Sequence, residues 1–275
     1  TSDQIDLVNE ICYRAKYGGD KAEAAPRGGG KTTIAECVIL LLVLKGILRF
    51  PIIVCATSED AESVLGNIKS ELERNDLLYE DYPEVCAPVR ELAGSAARAR
   101  MQTARGSRTW LVWQKHRVIL PDIKGSSCGG SVIETRGCDG AIRGVRRGAM
   151  RPDFILVDDA ETRESVESQT GTQKRKRIID QDLAGLGGPG VKIARLMLCT
   201  IMRHDSLAAQ YTDRKMNPGW SGSRRKLLVQ RPDREDLWDQ YILLLHEGAR
   251  KGICLAGRQC SSTKVVVTTW TQDQK

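Results

Sequence analysis

Ala25-Pro26-Arg27-Gly28-Gly29-Gly30-Lys31-Thr32-Thr33 leads straight into the apolar run Ile34 to Leu44. Consecutive glycines let backbone N–H groups turn toward one centre, which a Cβ would obstruct. A lysine after them reaches the β- and γ-phosphates of a nucleotide, and the next hydroxyl can complete the shell of a Mg²⁺ ion. Gly28, Gly29, Gly30, Lys31, Thr32 and Thr33 are therefore the candidate phosphate-binding residues, with Arg27 inside the same loop. A helix over Thr32 to Leu44 would set its positive end beneath the phosphates. The strict pattern asks for glycine where Ala25 stands, and taken alone the stretch also suits a flexible basic turn.

Two later stretches argue against the turn. Arg151-Pro152-Asp153 opens the run Phe154-Ile155-Leu156-Val157, which ends in Asp158-Asp159-Ala160-Glu161. A short, continuously apolar run reads as a buried parallel strand. Ligands bind outside the carboxyl ends of such strands, where these acids emerge. Asp158 is placed to hold Mg²⁺ through its water shell. A neighbouring carboxylate, Asp159 or Glu161, would orient and deprotonate the attacking water. The third stretch, Val191 to Cys199, reads as another strand, with Thr200 at its end beside the γ-phosphate.

The remaining segments fit around these three. Ile5, Val8, Ile11 and Cys12 give a short helical pattern ending at Gly18-Gly19; Tyr13 and Tyr17 suit a plain core or surface role, with stacking on adenine as the alternative. The strand feeding the loop, Lys21 to Ala25, lacks β-branched residues and is weak on propensity. Pro51 to Thr57 reads as a buried strand, and Ser58 caps a helix with Glu59 and Asp60 in its first turn, running to about Arg74. A loop containing Pro83 and Pro88 is expected next. From Arg90 to Arg117 there are seven Lys/Arg and one acid, Glu91, with Trp110 and Trp113 among them. That mixture suits a nucleic-acid surface, or equally a solvated helix followed by a strand with core tryptophans. Short β-like runs follow at Arg117 to Leu120 and Ser131 to Thr135. Five arginines (Arg136, Arg143, Arg146, Arg147, Arg151) then crowd a glycine-rich loop. A polar helix is expected from Ser165 to about Leu183.

The formal net charge of +7 favours a polyanionic partner. Nine cysteines, odd in number and without a Cys-x-x-Cys pair, argue for a reducing compartment and against a zinc site or disulfide scaffold. Cys37, Cys55 and Cys199 read as small core residues. No apolar run is long enough to span a bilayer, so a soluble, cytoplasmic protein without membrane contact is expected.

The three motifs in this order, with Ala141-Ile142-Arg143-Gly144 ahead of Arg151-Pro152-Asp153, resemble the large terminase subunit of tailed bacteriophages, over roughly residues 20 to 215. The resemblance implies a RecA-like P-loop ATPase fold: a doubly wound, mostly parallel sheet with helices on both faces. It implies ATP and Mg²⁺ as cofactors and double-stranded DNA as substrate. It further implies a homo-oligomeric ring at the capsid portal in the host cytoplasm, with portal protein and small terminase subunit as partners. By motif, Arg27 contacts the phosphates, Thr200 couples phosphate loss to movement, and Arg143 is the candidate to act on a neighbouring subunit's nucleotide. Arg146 and Arg147 are close enough to substitute, and local pairing or DNA binding are the other readings of Arg143. The family places Glu after the metal aspartate, where this chain has Asp159. An ATPase domain over 1–220 and a basic segment over 221–275, with no recognisable nuclease domain, are expected. Two other readings stay open: a helicase or remodelling ATPase, and a non-catalytic nucleotide- or DNA-binding module.

Overall fold

The computed structural model describes residues 1–142, 144–188, 193–226 and 234–250, with 248–250 given by backbone alone. The chain divides into Thr1–Leu227 and a second unit from Leu228 onward. The first unit contains, in order, α1 (Ser2–Tyr17), β1 (Asp20–Ala24), α2 (Lys31–Leu44), β2 (Pro51–Cys55), α3 (Ser58–Arg74), α4 (Asp76–Asp81) and α5 (Pro83–Glu91). A 3₁₀ turn leads into β3 (Thr103–Ala104), β4 (Ser107–Arg108), β5 (Val112–Trp113), β6 (Arg117–Ile119), β7 (Val132–Gly137) and β8 (Phe154–Asp158). Then come α6 (Arg163–Glu167), α7 (Gln169–Arg177), a π-helical turn (Ile178–Leu183), β9 (Ala194–Cys199), α8 (Leu207–Tyr211) and β10 (Ser221–Arg224). In the second unit the described element is α9 (Glu235–Arg250).

One sheet runs in the order β10-β1-β9-β8-β2-β7-β6-β5. Its strands pair in parallel from β10 to β7, and β6 and β5 extend one side antiparallel. Renumbered by sequence, strands β1, β2, β8, β9 and β10 lie in the order 5-1-4-3-2. This is the RecA-like arrangement, and it has a direct consequence for chemistry. Because β9 lies between β1 and β8, the loop after β1, the acids after β8 and the threonine after β9 share one edge of the sheet.

Alternation along the strands divides the core into two layers. Ile53, Cys55, Phe154, Leu156, Leu196 and Leu198 pack with α1, α2, α3 and α5. Ile52, Val54, Ile155, Val157, Met197 and Cys199 pack with the π turn and α8. Helices therefore cover both faces, which is why β2 and β8 are apolar without interruption. α2 is apolar nearly all round and buries Ala35, Val38, Ile39, Leu40, Leu42, Val43 and Leu44. Phe154 is fully buried, and its truncation to alanine would cost about 3–5 kcal/mol.

β1 forms against its own propensity because parallel strands flank it on both sides. Ala22 and Ala24 are buried where larger side chains would crowd the second layer. The buried Glu23 is met by Arg225 at 2.6 Å, and Asp20 is met by Arg195. Tertiary pairing thus overrides local preference.

Several expectations are corrected. The proline-containing loop is two helices: Pro83 stands in the first turn of α5, where no N–H is needed, and Pro88 is accommodated inside it. The single helix over 165–183 is divided into α6, α7 and the π turn, because Ser168 caps a fresh start at Gly171 N. Cys37 is exposed, whereas Cys55 and Cys199 are buried. The sheet continues past residue 220 into β10, whose weak, polar sequence is ordered by pairing with β1. Val265 to Trp270, read as a possible edge strand, and Arg143 lie outside the described residues. Among the described residues no helix is long and apolar enough to cross a membrane.

Candidate nucleotide site

The loop between β1 and α2 begins as a continuation of the sheet, with Ala25 N donating to Cys199 O at 3.0 Å. Ala25 is not among the positive-φ residues, so the glycine of the strict pattern is not needed there. Gly28 and Gly30 do need to be glycines, with φ of 81° and 75°. Gly30 is the N-cap of α2 and offers no side-chain cap, which leaves the first amides of that helix for an anion.

Lys31 opens α2 and is only 8 % exposed. Its Nζ donates to Asp159 Oδ2 at 2.7 Å and to Thr200 Oγ1 at 3.1 Å. Thr32 Oγ1 donates to Asp158 Oδ2 at 2.8 Å. The three sequence motifs therefore meet through direct hydrogen bonds. Arg27, Gly28, Lys31, Asp159, Glu161 and Thr200 line one cavity of about 280 Å³ with Ile179, Met197 and Leu207 behind them.

The two neighbouring aspartates are treated differently. Asp158 is 6 % exposed, and its Oδ1 is buried without a hydrogen-bond partner. Burial pushes its carboxyl up to about 6, against the Thr32 hydrogen bond and with the help of Asp159. A buried carboxylate with one orphaned oxygen beside a threonine hydroxyl fits a hard cation such as Mg²⁺. Asp159 has a backbone φ of 39°, a conformation uncommon outside glycine, and its side chain remains 44 % exposed. That turn aims it at Lys31 and the cavity.

Glu161 is committed elsewhere. Its Oε1 accepts from Leu207 N at 2.8 Å and its Oε2 from Ala208 N at 2.9 Å, so it holds the start of α8. Burial raises its pKa, with the two amides opposing. Thr33 is exposed on the outer side of α2.

Two features of the site were not read from the sequence. The N-terminal end of α1 lies at the loop, with Gln4 Nε2 at 3.5 Å from Gly29 O. Tyr13 and Tyr17 are exposed at the opposite end, toward the start of β1, in keeping with a surface role and away from the loop. Arg163 and Arg203 join Arg27 along a second groove, and their separation in sequence left no local signal.

Beyond the site, the basic stretch forms a small hairpin, β3–β4, turned by Arg105 and Gly106, both at positive φ. Trp110 is exposed with Arg108 stacked over its ring at 4.2 Å, while Trp113 is buried.

No family model matches the chain, and no curated protein does. Among solved structures it is similar to a mutant of the large terminase ATPase domain of Thermus phage P74-26, at 14 % identity and a TM-score of 0.45, over 91 % of this chain and 92 % of that one. It is also similar to the large terminase of the thermophilic bacteriophage D6E, at 10 % identity and a TM-score of 0.42, over 87 % of this chain and 49 % of that one. An ADP complex of the D6E protein matches at 11 % identity and a TM-score of 0.38, over 86 % and 48 %. The chain thus spans about half the length of the D6E protein.

Proposed function

We propose that this chain is the ATP-hydrolysing part of a large-terminase-like motor that moves double-stranded DNA into a viral capsid. The observation that carries the ATPase reading is the contact of Lys31 with both Asp159 and Thr200, next to the Thr32–Asp158 pair. A basic surface turn would have no reason to bury its lysine against an acid that follows β8 and a hydroxyl that follows β9.

In this reading Lys31 and the free amides of α2 bind the β- and γ-phosphates. Thr32 and Asp158 hold Mg²⁺, which when bound neutralises charge on the phosphate oxygens. A phosphate competes with Asp159 for Lys31 and leaves the Asp159 carboxylate turned to the cavity, able to take a proton from water. Glu161, with both oxygens occupied, sets the position of α8 instead of acting as base. Thr200, hydrogen-bonded to Lys31, registers the phosphate and passes its loss to the segment leading into α8. Arg27 adds positive charge from the loop itself, and Arg143 is assigned to the nucleotide of a neighbouring subunit in a ring. The DNA-moving part of the proposal draws on the motif resemblance and on the +7 charge.

The test is ATP turnover by the purified chain with Mg²⁺, with and without duplex DNA. Turnover stimulated by DNA supports the motor. Nucleotide binding without turnover under either condition would reduce the chain to a binding module.

A further inference from the structure

A groove of about 310 Å³ lies next to the catalytic cavity, lined by Arg27, Arg163, Val166, Glu167, Met202 and Arg203. It shares Arg27 and Met202 with that cavity, so the two adjoin beside the phosphate loop. Three guanidinium groups come from three separate places: the loop, the start of α6, and the turn between β9 and α8.

Two of the three, Arg27 and Arg163, have no ion pair among the described residues. Arg203 is paired with Asp205, Nε to Oδ1 at 3.0 Å and a second bond at 3.2 Å. The contact of Arg27 is weak and uncharged, its Nη2 lying 3.8 Å from the Met202 sulfur. Arg163 has neither a hydrogen bond nor an ion pair among the described residues. Glu167 is the lone acid in the lining, so the groove is net positive. Packing does not require this, since all three arginines are exposed and Val166 supplies the apolar wall.

We propose that this groove is a binding site for inorganic phosphate, receiving it as it leaves the γ-position of a cleaved nucleotide. The inference rests on the ATPase reading for the origin of the phosphate, but the site itself is a separate claim. Guanidinium groups pair with phosphate oxygens through two parallel N–H bonds, which a lysine cannot reproduce. Arg27 borders both spaces and can keep one hand on the phosphate as it crosses. The turn carrying Arg203 begins just after Thr200, so a phosphate held there bears on the segment that registers nucleotide state.

The experiment titrates inorganic phosphate into the whole chain with the phosphate loop filled by Mg²⁺ and a non-hydrolysable ATP analogue, read by calorimetry or ³¹P line broadening. Phosphate binding should persist in the presence of the analogue. It should weaken by about tenfold or more in Arg163→Gln combined with Arg203→Gln, and by less in Arg163→Lys, which keeps charge but loses the fork. Analogue affinity measured in the same samples reports on the loop separately. Were the analogue not to bind at all, the ATPase reading would fail; phosphate titrated into Lys31→Ala would still read the groove, with the same dependence on Arg163 and Arg203. Phosphate binding that is absent, or indifferent to these arginines, overturns the proposal. So does displacement of the phosphate by a short DNA duplex, which would assign the groove to backbone phosphates.

Discussion

Replacing Glu161 and Asp159 separately by their amides should split stability from catalysis. Each Glu161 oxygen accepts one backbone N–H of α8, at 2.8 and 2.9 Å. A glutamine keeps one of these bonds and turns an NH₂ group toward the other donor. Bonds to a charged acceptor contribute about 1.5–3 kcal/mol each, so Glu161→Gln should cost roughly 2–3 kcal/mol. For a unit of this size, that lowers Tm by roughly 4–10 °C. Hydrolysis measured well below the transition should remain within about an order of magnitude of wild type, short of the loss of a general base. Asp159→Asn should behave oppositely. Asparagine tolerates a positive φ and its carbonyl can still accept from Lys31, so the melting curve should move little. Turnover should fall by about 10²–10⁴-fold, as for a lost general base, while ATP and Mg²⁺ still bind. Thermal melts and a coupled ATPase assay on the same preparations decide the matter. A Glu161→Gln chain that melts like wild type yet does not hydrolyse ATP would refute the assignment of Glu161 as the holder of α8.

Lys31→Ala should abolish turnover by a factor of a hundred or more, as loss of about 3–4 kcal/mol of charge stabilisation implies; normal rates would remove the phosphate-loop assignment. Glu36 of α2 is 6 % exposed, and burial raises its carboxyl from 4.5 to about 7, opposed by Asn67 and reinforced by Asp158 and Glu71. The folded chain holds a proton there that the unfolded chain releases, so stability should fall as pH rises from about 4.5 to about 7. Glu36→Gln should flatten that part of the profile and stabilise the chain at pH 8 by at most about 3 kcal/mol, read from denaturant midpoints. An unchanged pH profile would show that Glu36 is ionised in the fold. Charge reversal at Arg98, Arg100 and Arg105 should weaken DNA binding, which should fall steeply with salt in wild type; an affinity independent of salt would exclude backbone contacts.

What the sequence disclosed depended on how local each signal was. Lys31, Asp158 and Thr200 could be placed because each closes a short pattern: glycines before a helix, or an apolar run before a polar end. β2, β8 and α3 were legible for the same reason. β10 was not, and β1 was placed only as the strand that must feed the loop, since their stability comes from each other and from β9 through residues such as Glu23 and Arg225, about two hundred positions apart. The engagement of Glu161 was equally out of reach. It rests on two backbone amides of α8 that no side-chain pattern announces. The prolines of α5 misled because a proline at a helix start and one at a loop look alike without the fold around them.

The placement of β1 also governs when this protein becomes competent. Lys21 pairs with Leu196 on one side and Ser221 on the other. A chain emerging from the ribosome therefore carries its glycine loop long before it has the strands that brace it. Domains fold largely as units, and contacts this distant in sequence form late because the intervening chain must first be ordered. Lys31 gains its acid only with Asp159 and its hydroxyl only with Thr200, and β1 is paired on both sides only once about residue 224 has been made. Nascent and shortened chains should be silent toward nucleotide, and the site should switch on only once almost the entire unit has been synthesised.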